Sequence, residues 1–136
     1  MSTMLIIEDD PAWRSLYLLE FGKQFDVFEA NDGLQALSML DSIQPDIILL
    51  DLRLPRMDGR AFLRQMERKG VKAPVVVCSG LLPEGDPSMT GLQVAPKSAD
   101  LRYVRSAVRA AAEACGVSPR AHVQEAEASD EPEWFD

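Results

Sequence analysis

The stretch IILLDLRLPRMDG, residues 47–59, runs four apolar residues straight into a carboxylate, Asp51, and then into a loop bearing Pro55 and Gly59. A continuous rather than alternating apolar run is what a strand covered on both faces of a parallel sheet requires. An acidic group at the end of such a strand has no packing reason to be there, so a chemical reason must be sought along the rest of the chain.

Two other runs read the same way, MLII at residues 4–7 and VVVC at residues 75–78, and the third strand is read over 46–50. FDVFEA (25–30) and LQVA (92–95) are weaker strand candidates. Amphipathic stretches lie between them. Residues 11–21 place Pro11 just inside a helix capped by Asp10, and 33–43 repeat Leu34, Leu37 and Leu40 at helical spacing. Residues 58–69 carry Phe62, Leu63 and Met66, and 99–114 carry Leu101, Val104, Val108 and Ala111 on one stripe. The segment 80–91 differs, with Gly80, Pro83, Gly85, Pro87 and Gly91. Interior proline costs about 3 kcal/mol and glycine about 1 kcal/mol relative to alanine. The fourth helix is therefore expected to be short or absent, at most a turn starting near Asp86 with Pro87 as its first helical residue.

Five β-α repeats predict a three-layer, doubly wound α/β sandwich built on a five-stranded parallel sheet, with ligands bound outside the carboxyl ends of the strands. Glu8, Asp9 and Asp10 follow the first strand, Asp51 the third, Ser79 ends the fourth and Lys97 follows the fifth. Clustered carboxylates repel one another unless a cation joins them. Oxygen donors of this kind suit Mg²⁺, which commonly shares its site with a phosphate. The lysine supplies a charge for phosphoryl oxygens and the serine a hydrogen bond. The set points to phosphoryl transfer, with Asp51 as the nucleophile that forms an aspartyl phosphate.

Composition narrows the classes. The chain has 136 residues, 46% hydrophobic and 26% charged, which is the make-up of one globular domain. Residues 117–136 hold −5 of the net charge of −8, leaving −3 elsewhere. Nucleic-acid binding needs clustered Lys and Arg and is not expected. No basic-apolar leader and no apolar run of roughly 20 residues is read, so a cytoplasmic protein without membrane insertion is expected. Cys78 and Cys115 lack metal or disulfide spacing and read as inert thiols.

These residues resemble the receiver domain of two-component response regulators over about 4–114: MLIIEDDPAWR as first strand and acidic pair, PDIILLDLRLPRMDG as phosphoacceptor strand and loop, APVVVCSG and PKSADLRYVRSAV as the hydroxyl and lysine segments. The resemblance implies a flavodoxin-like sheet of order 2-1-3-4-5, with Asp51 the phosphoacceptor, Ser79 the switch hydroxyl and Lys97 the phosphate's partner. It implies Mg²⁺ held by Glu8, Asp9, Asp51 and the backbone carbonyl of Arg53. It also implies a phosphohistidine donor, on a histidine kinase or a histidine phosphotransfer protein, and an unidentified downstream protein target. The chain would phosphorylate itself from that donor and slowly hydrolyse its own acyl phosphate.

Departures from that pattern are visible. Ser98 follows the lysine where proline is usual, so the loop holding Lys97 is open to a different shape, and Val94 stands where an aromatic commonly does. Ordering of 80–91 on phosphorylation is the switch expected in its place. Pro55 and Gly59 read as ordinary turn residues. Trp13 is open between a partly covered surface aromatic and an anchor for the phosphodonor.

On length, a stand-alone receiver (1–116) with an acidic, disordered tail (117–136) is expected, rather than a DNA-binding transcription factor. In the tail, EPEWFD is either a chance aromatic pair or a short docking motif. The alternative of another class is a phosphorylation-independent pseudo-receiver acting as a protein-binding module, against which the full set of site residues argues. An aspartate-based phosphatase would need a second acid where Arg53 stands, and a nucleotide-binding sheet would need a glycine-rich loop after the first strand.

Overall fold

The computed structural model describes residues 2–80, 87–89 and 91–116. The acidic tail and the segment 81–86, on which the expected ordering switch and docking motif fall, lie outside the described residues, as does 90. Five strands, β1 (Thr3–Ile7), β2 (Asp26–Ala30), β3 (Ile47–Leu50), β4 (Val75–Ser79) and β5 (Gln93–Pro96), form one parallel sheet in the order β2-β1-β3-β4-β5. The helices are α1 (Pro11–Phe21), α2 (Gly33–Ile43), α3 (Gly59–Arg68) and α4 (Arg102–Cys115). Between β4 and β5 the described backbone holds one 3₁₀ turn, Pro87–Met89, that begins at the expected proline.

Burial explains which strands were easiest to read. β1, β3 and β4 are central, and β3 and β4 are buried at every residue. β2 and β5 are edges with mixed exposure, so their sequences carry polar residues and a weaker signal. Alternate residues of the sheet feed two cores. Met4, Ile6, Leu49, Val76 and Cys78 pack with Tyr17 and Phe21 of α1 and Val104 and Val108 of α4. Leu5, Ile7, Ile48, Leu50 and Val77 pack with Ala36 and Leu40 of α2 and with Phe62 and Met66 of α3. Met89 of the 3₁₀ turn joins this second core.

The helix starts are set by side-chain caps. The Asp10 carboxylate accepts from the Ala12 amide (2.9 Å), Asp32 from Gln35 (2.8 Å) and Asp58 from Ala61 (2.9 Å), each satisfying a backbone donor that the first turn leaves open. α4 starts later than its apolar stripe suggests. Asp100 accepts from the Arg102 amide and the Ser98 hydroxyl, both at 2.9 Å, and this turn leaves Leu101 left-handed at φ 59° yet buried. Among the described residues no helix is long and apolar enough to cross a membrane.

Gly59 is more than a turn residue. A Cβ there would lie 2.7 Å from the Leu52 Cα and 2.8 Å from the Asp51 carbonyl oxygen, so α3 starts hard against the end of β3. Gly33 does the same for α2, whose first turn has no room for a methyl group beside the Met57 carbonyl. The loop after Asp51 is thereby clamped between two helix starts. Gly33→Ala should lower stability by about 1–3 kcal/mol through overpacking, read as a shift of the urea midpoint. Gly80→Ala, where an added Cβ meets nothing within 4 Å, should leave the midpoint nearly unchanged. Equal midpoints for the two variants would show that the loop yields freely.

Candidate functional site

The carboxyl ends of β1, β3 and β4 and the residue after β5 bring Glu8, Asp9, Asp51, Ser79 and Lys97 to one rim of the sheet. Glu8, Asp51 and Ser79 are almost fully buried, Lys97 is partly buried and Asp9 is exposed. Every residue read from the sequence as part of the site is therefore at this rim. Gly80, Lys97, Arg53 and the acidic residues line one open cleft.

Glu8 and Asp51 are held in the same way. The Lys97 ammonium donates to both, with Nζ 2.8 Å from Glu8 Oε1 and 3.2 Å from Asp51 Oδ2. The remaining oxygen of each carboxylate accepts from the backbone two residues downstream: Glu8 Oε2 from the Asp10 amide at 3.1 Å, and Asp51 Oδ1 from the Arg53 amide at 3.2 Å. The lysine is in turn fixed by its own amide, which donates to the Ser79 carbonyl at 3.2 Å. With Ser98 after it, the chain is trans at this point, as at every peptide among the described residues.

This geometry sets the charges. Burial is the main cause that pushes the Glu8 carboxyl up to about 7, and the Asp51 charge adds to it, while the bond from Lys97 pulls the other way. Burial alone would depress the Lys97 ammonium, but its bonds to Glu8 and Asp51 outweigh that and hold its pKa above the ordinary lysine value. The third carboxylate is close: oxygens of Glu8, Asp9 and Asp51 all lie within 4.8 Å of one another. Three hard oxygen donors at an open cleft, two of them sharing one ammonium, suit a hard divalent cation that keeps part of its water.

Several positioning groups were not found from the sequence. Arg14 Nη1 donates to the Glu8 carbonyl at 2.8 Å and Nε lies 3.3 Å from Glu29 Oε1, which pins the loop carrying Asp9. Arg56, left-handed at φ 65°, donates from Nε (3.0 Å) and Nη2 (2.6 Å) to Asp32 Oδ2. That links the loop after Asp51 to the cap of α2. The amide of Gln35 is the first of the contacts that hold the Asp32 carboxyl below its usual range, and Arg56 adds to it. Below the rim, the Tyr17 hydroxyl and the Cys78 thiol hydrogen-bond at 3.0 Å. Burial pushes both up, the thiol to about 11, which keeps Cys78 an unreactive core thiol. Trp13 is half-buried and packs on the α1 core, with its ring 5.8 Å from that of Tyr17. Such contacts join residues far apart in the chain, and no spacing rule announces them.

The family model of the response regulator receiver domain matches residues 4–95. The chemotaxis protein CheY of Listeria monocytogenes is 36% identical over 84 residues, covering 60% of this chain and 71% of that protein. The protein-glutamate methylesterase/protein-glutamine glutaminase of Treponema denticola is 36% identical over 89 residues, 60% of this chain and 23% of that protein. Its counterpart in Treponema pallidum is 46% identical over 57 residues, 42% of this chain and 14% of that protein. The chain thus spans less than a quarter of the length of either methylesterase. In fold it is similar to the response regulator TrrA of Thermotoga maritima, solved in complex with Mg²⁺-BeF, at a TM-score of 0.75 and 21% identity over 82% of this chain and 99% of that one.

The raised Glu8 carboxyl has a consequence for stability. Its folded value lies above the ordinary carboxylate value of 4.5, so the stabilisation it gives is complete below about pH 4.5 and is lost as pH rises through about 7. In chelator-treated protein, Glu8→Gln should remove that part of the pH dependence and raise stability at pH 8 by about 1–3 kcal/mol. Unfolding midpoints at pH 5 and pH 8 measure both effects. Parallel pH profiles for the two proteins would mean that Glu8 is already ionised throughout.

Proposed function

The chain belongs to the response regulator receiver domain family, and on that premise we propose that it accepts a phosphoryl group on Asp51 and signals by docking to a partner protein. The observation that carries this reading is the Lys97 ammonium 3.2 Å from the Asp51 carboxylate, beside two further acids at the open rim of the sheet. A buried strand holds the nucleophile rigid while the cleft leaves it open to an incoming phosphorus, the geometry that phosphoryl transfer needs.

In the proposed reaction an Asp51 oxygen attacks the phosphorus of a phosphohistidine in line. The O–P bond forms as the P–N bond breaks, and the imidazole nitrogen keeps the bonding electrons and picks up a proton. Glu8, Asp9, Asp51 and the Arg53 carbonyl would hold Mg²⁺, which supplies positive charge for the phosphoryl oxygens. Lys97 would contribute a second positive charge beside Asp51, and the Ser79 hydroxyl a hydrogen bond. Gly80 leaves the entrance free of a side chain. Attack of water on the acyl phosphate returns the carboxylate, so the domain also limits the lifetime of its own signal.

The donor on this reading is a histidine kinase or a histidine phosphotransfer protein, and the location is the cytoplasm. α1 is suited to meeting a protein at the rim, since Leu16, Leu18 and Leu19 are exposed on it, Leu19 at 75%. Incubation with acetyl phosphate and Mg²⁺ should add one phosphoryl group to the intact chain, read by mass spectrometry, and Asp51→Asn should abolish it. Asp9→Asn should lower the Mg²⁺ affinity strongly and slow labelling. Undiminished labelling of the Asp51→Asn protein would overturn the assignment.

A further inference from the structure

Lys97 has three ammonium protons, and the two carboxylates account for contacts on only part of its surface. On another side stands the Trp13 ring, with Nζ 5.2 Å from its centroid, inside the range in which a cation is drawn to an aromatic face. The ring is itself fixed: it packs on the core of α1 and α4 and tilts 33° against Tyr17, one helical turn along α1, whose hydroxyl reaches Cys78 of β4. Trp13, Tyr17 and Cys78 thus form a column of buried or half-buried groups running from the sheet to the ammonium.

We propose that Trp13 is a positioning residue for Lys97, holding the ammonium at the cleft through its aromatic face; this rests on the function proposed above. The physical need is plain. Lysine has a long stem whose rotamer freedom costs free energy to restrain, and an ammonium confined by hydrogen bonds alone could swing toward whichever acid is free. When Asp51 turns into an acyl phosphate, the acceptor of the lysine moves outward to a phosphoryl oxygen. An aromatic wall keeps the charge at the rim through that exchange and excludes water from one side of it, which strengthens its pull on phosphoryl oxygens. The half-buried, core-packed ring makes Trp13 an internal strut of the site, and the exposed leucines on the outer side of α1 are left for partner contacts.

The test compares acetyl phosphate labelling rates, at saturating Mg²⁺, for the full chain and its Trp13→Phe and Trp13→Leu variants. Phenylalanine keeps an aromatic face and should label within about 2-fold of the parent. Leucine keeps bulk without that face and should be slower by about 3- to 30-fold. Proton NMR of the unphosphorylated proteins gives a readout independent of chemistry. The Lys97 ε-methylene signals should be shifted upfield by the ring in the parent and in Trp13→Phe, and should lose that shift in Trp13→Leu. If the leucine variant does not fold, fluorinated tryptophan in a Trp134→Phe background weakens the aromatic face at constant shape and should slow labelling stepwise with fluorine number. Leucine labelling as fast as the parent, or slowing only with a phosphohistidine protein as donor, would overturn the inference. A parent that folds, shows the shifted lysine signals and takes up no phosphoryl group would instead overturn the proposed function and leave the Trp13–Lys97 contact standing.

Discussion

One ammonium shared by two buried carboxylates is the interaction on which the site depends. Glu8 and Asp51 are both nearly excluded from solvent, a costly state for neighbouring negative charges. Lys97 reaches both, and a loop amide meets the second oxygen of each. Burial outweighs these contacts at Glu8 and holds its carboxyl above the usual carboxylate range. Exposed Asp9 stands beside them and places a third carboxylate oxygen within 4.8 Å of the other two, an oxygen-rich grouping of the kind that suits a hard cation.

Such a balance needs a rigid frame, because a shift of an ångström would trade one oxygen for another. The frame comes from the close approach of backbones. Gly59 lets α3 begin against the Asp51 carbonyl, Gly33 lets α2 begin against Met57, and Arg56 ties the same loop to Asp32 at the α2 cap. On the other side Arg14 holds the carbonyl of Glu8. The loops after β1 and β3 are therefore tied down beside the rim and follow strands whose last residues are buried.

α1 serves three environments at once. Tyr17 and Phe21 fill the core, Trp13 turns to the ammonium, and Leu16, Leu18 and Leu19 are exposed. This explains why its amphipathic pattern is weaker than that of α3 or α4: a helix with apolar residues toward the core, the site and the outside has no single polar face.

The sequence alone determined the β-α alternation, the parallel sheet and the residues at its rim. Those features rest on local patterns: apolar runs of strand length in 4–7, 47–50 and 75–78, proline and aspartate at helix starts, and polar groups directly after strands. Even the start of the 3₁₀ turn before β5 was legible, since proline favours the first helical position and Pro87 takes it. Only the tertiary structure decided how the charges pair. That Lys97 bridges Glu8 and Asp51, that Trp13 faces Lys97, that Arg56 reaches Asp32 across 24 residues and that Gly59 is needed for space and not for its dihedral angles all depend on through-space distances between separate elements. Sequence periodicity encodes which face a residue takes; it carries no information on which residue of another element will stand opposite, because packing of the whole sheet sets that distance.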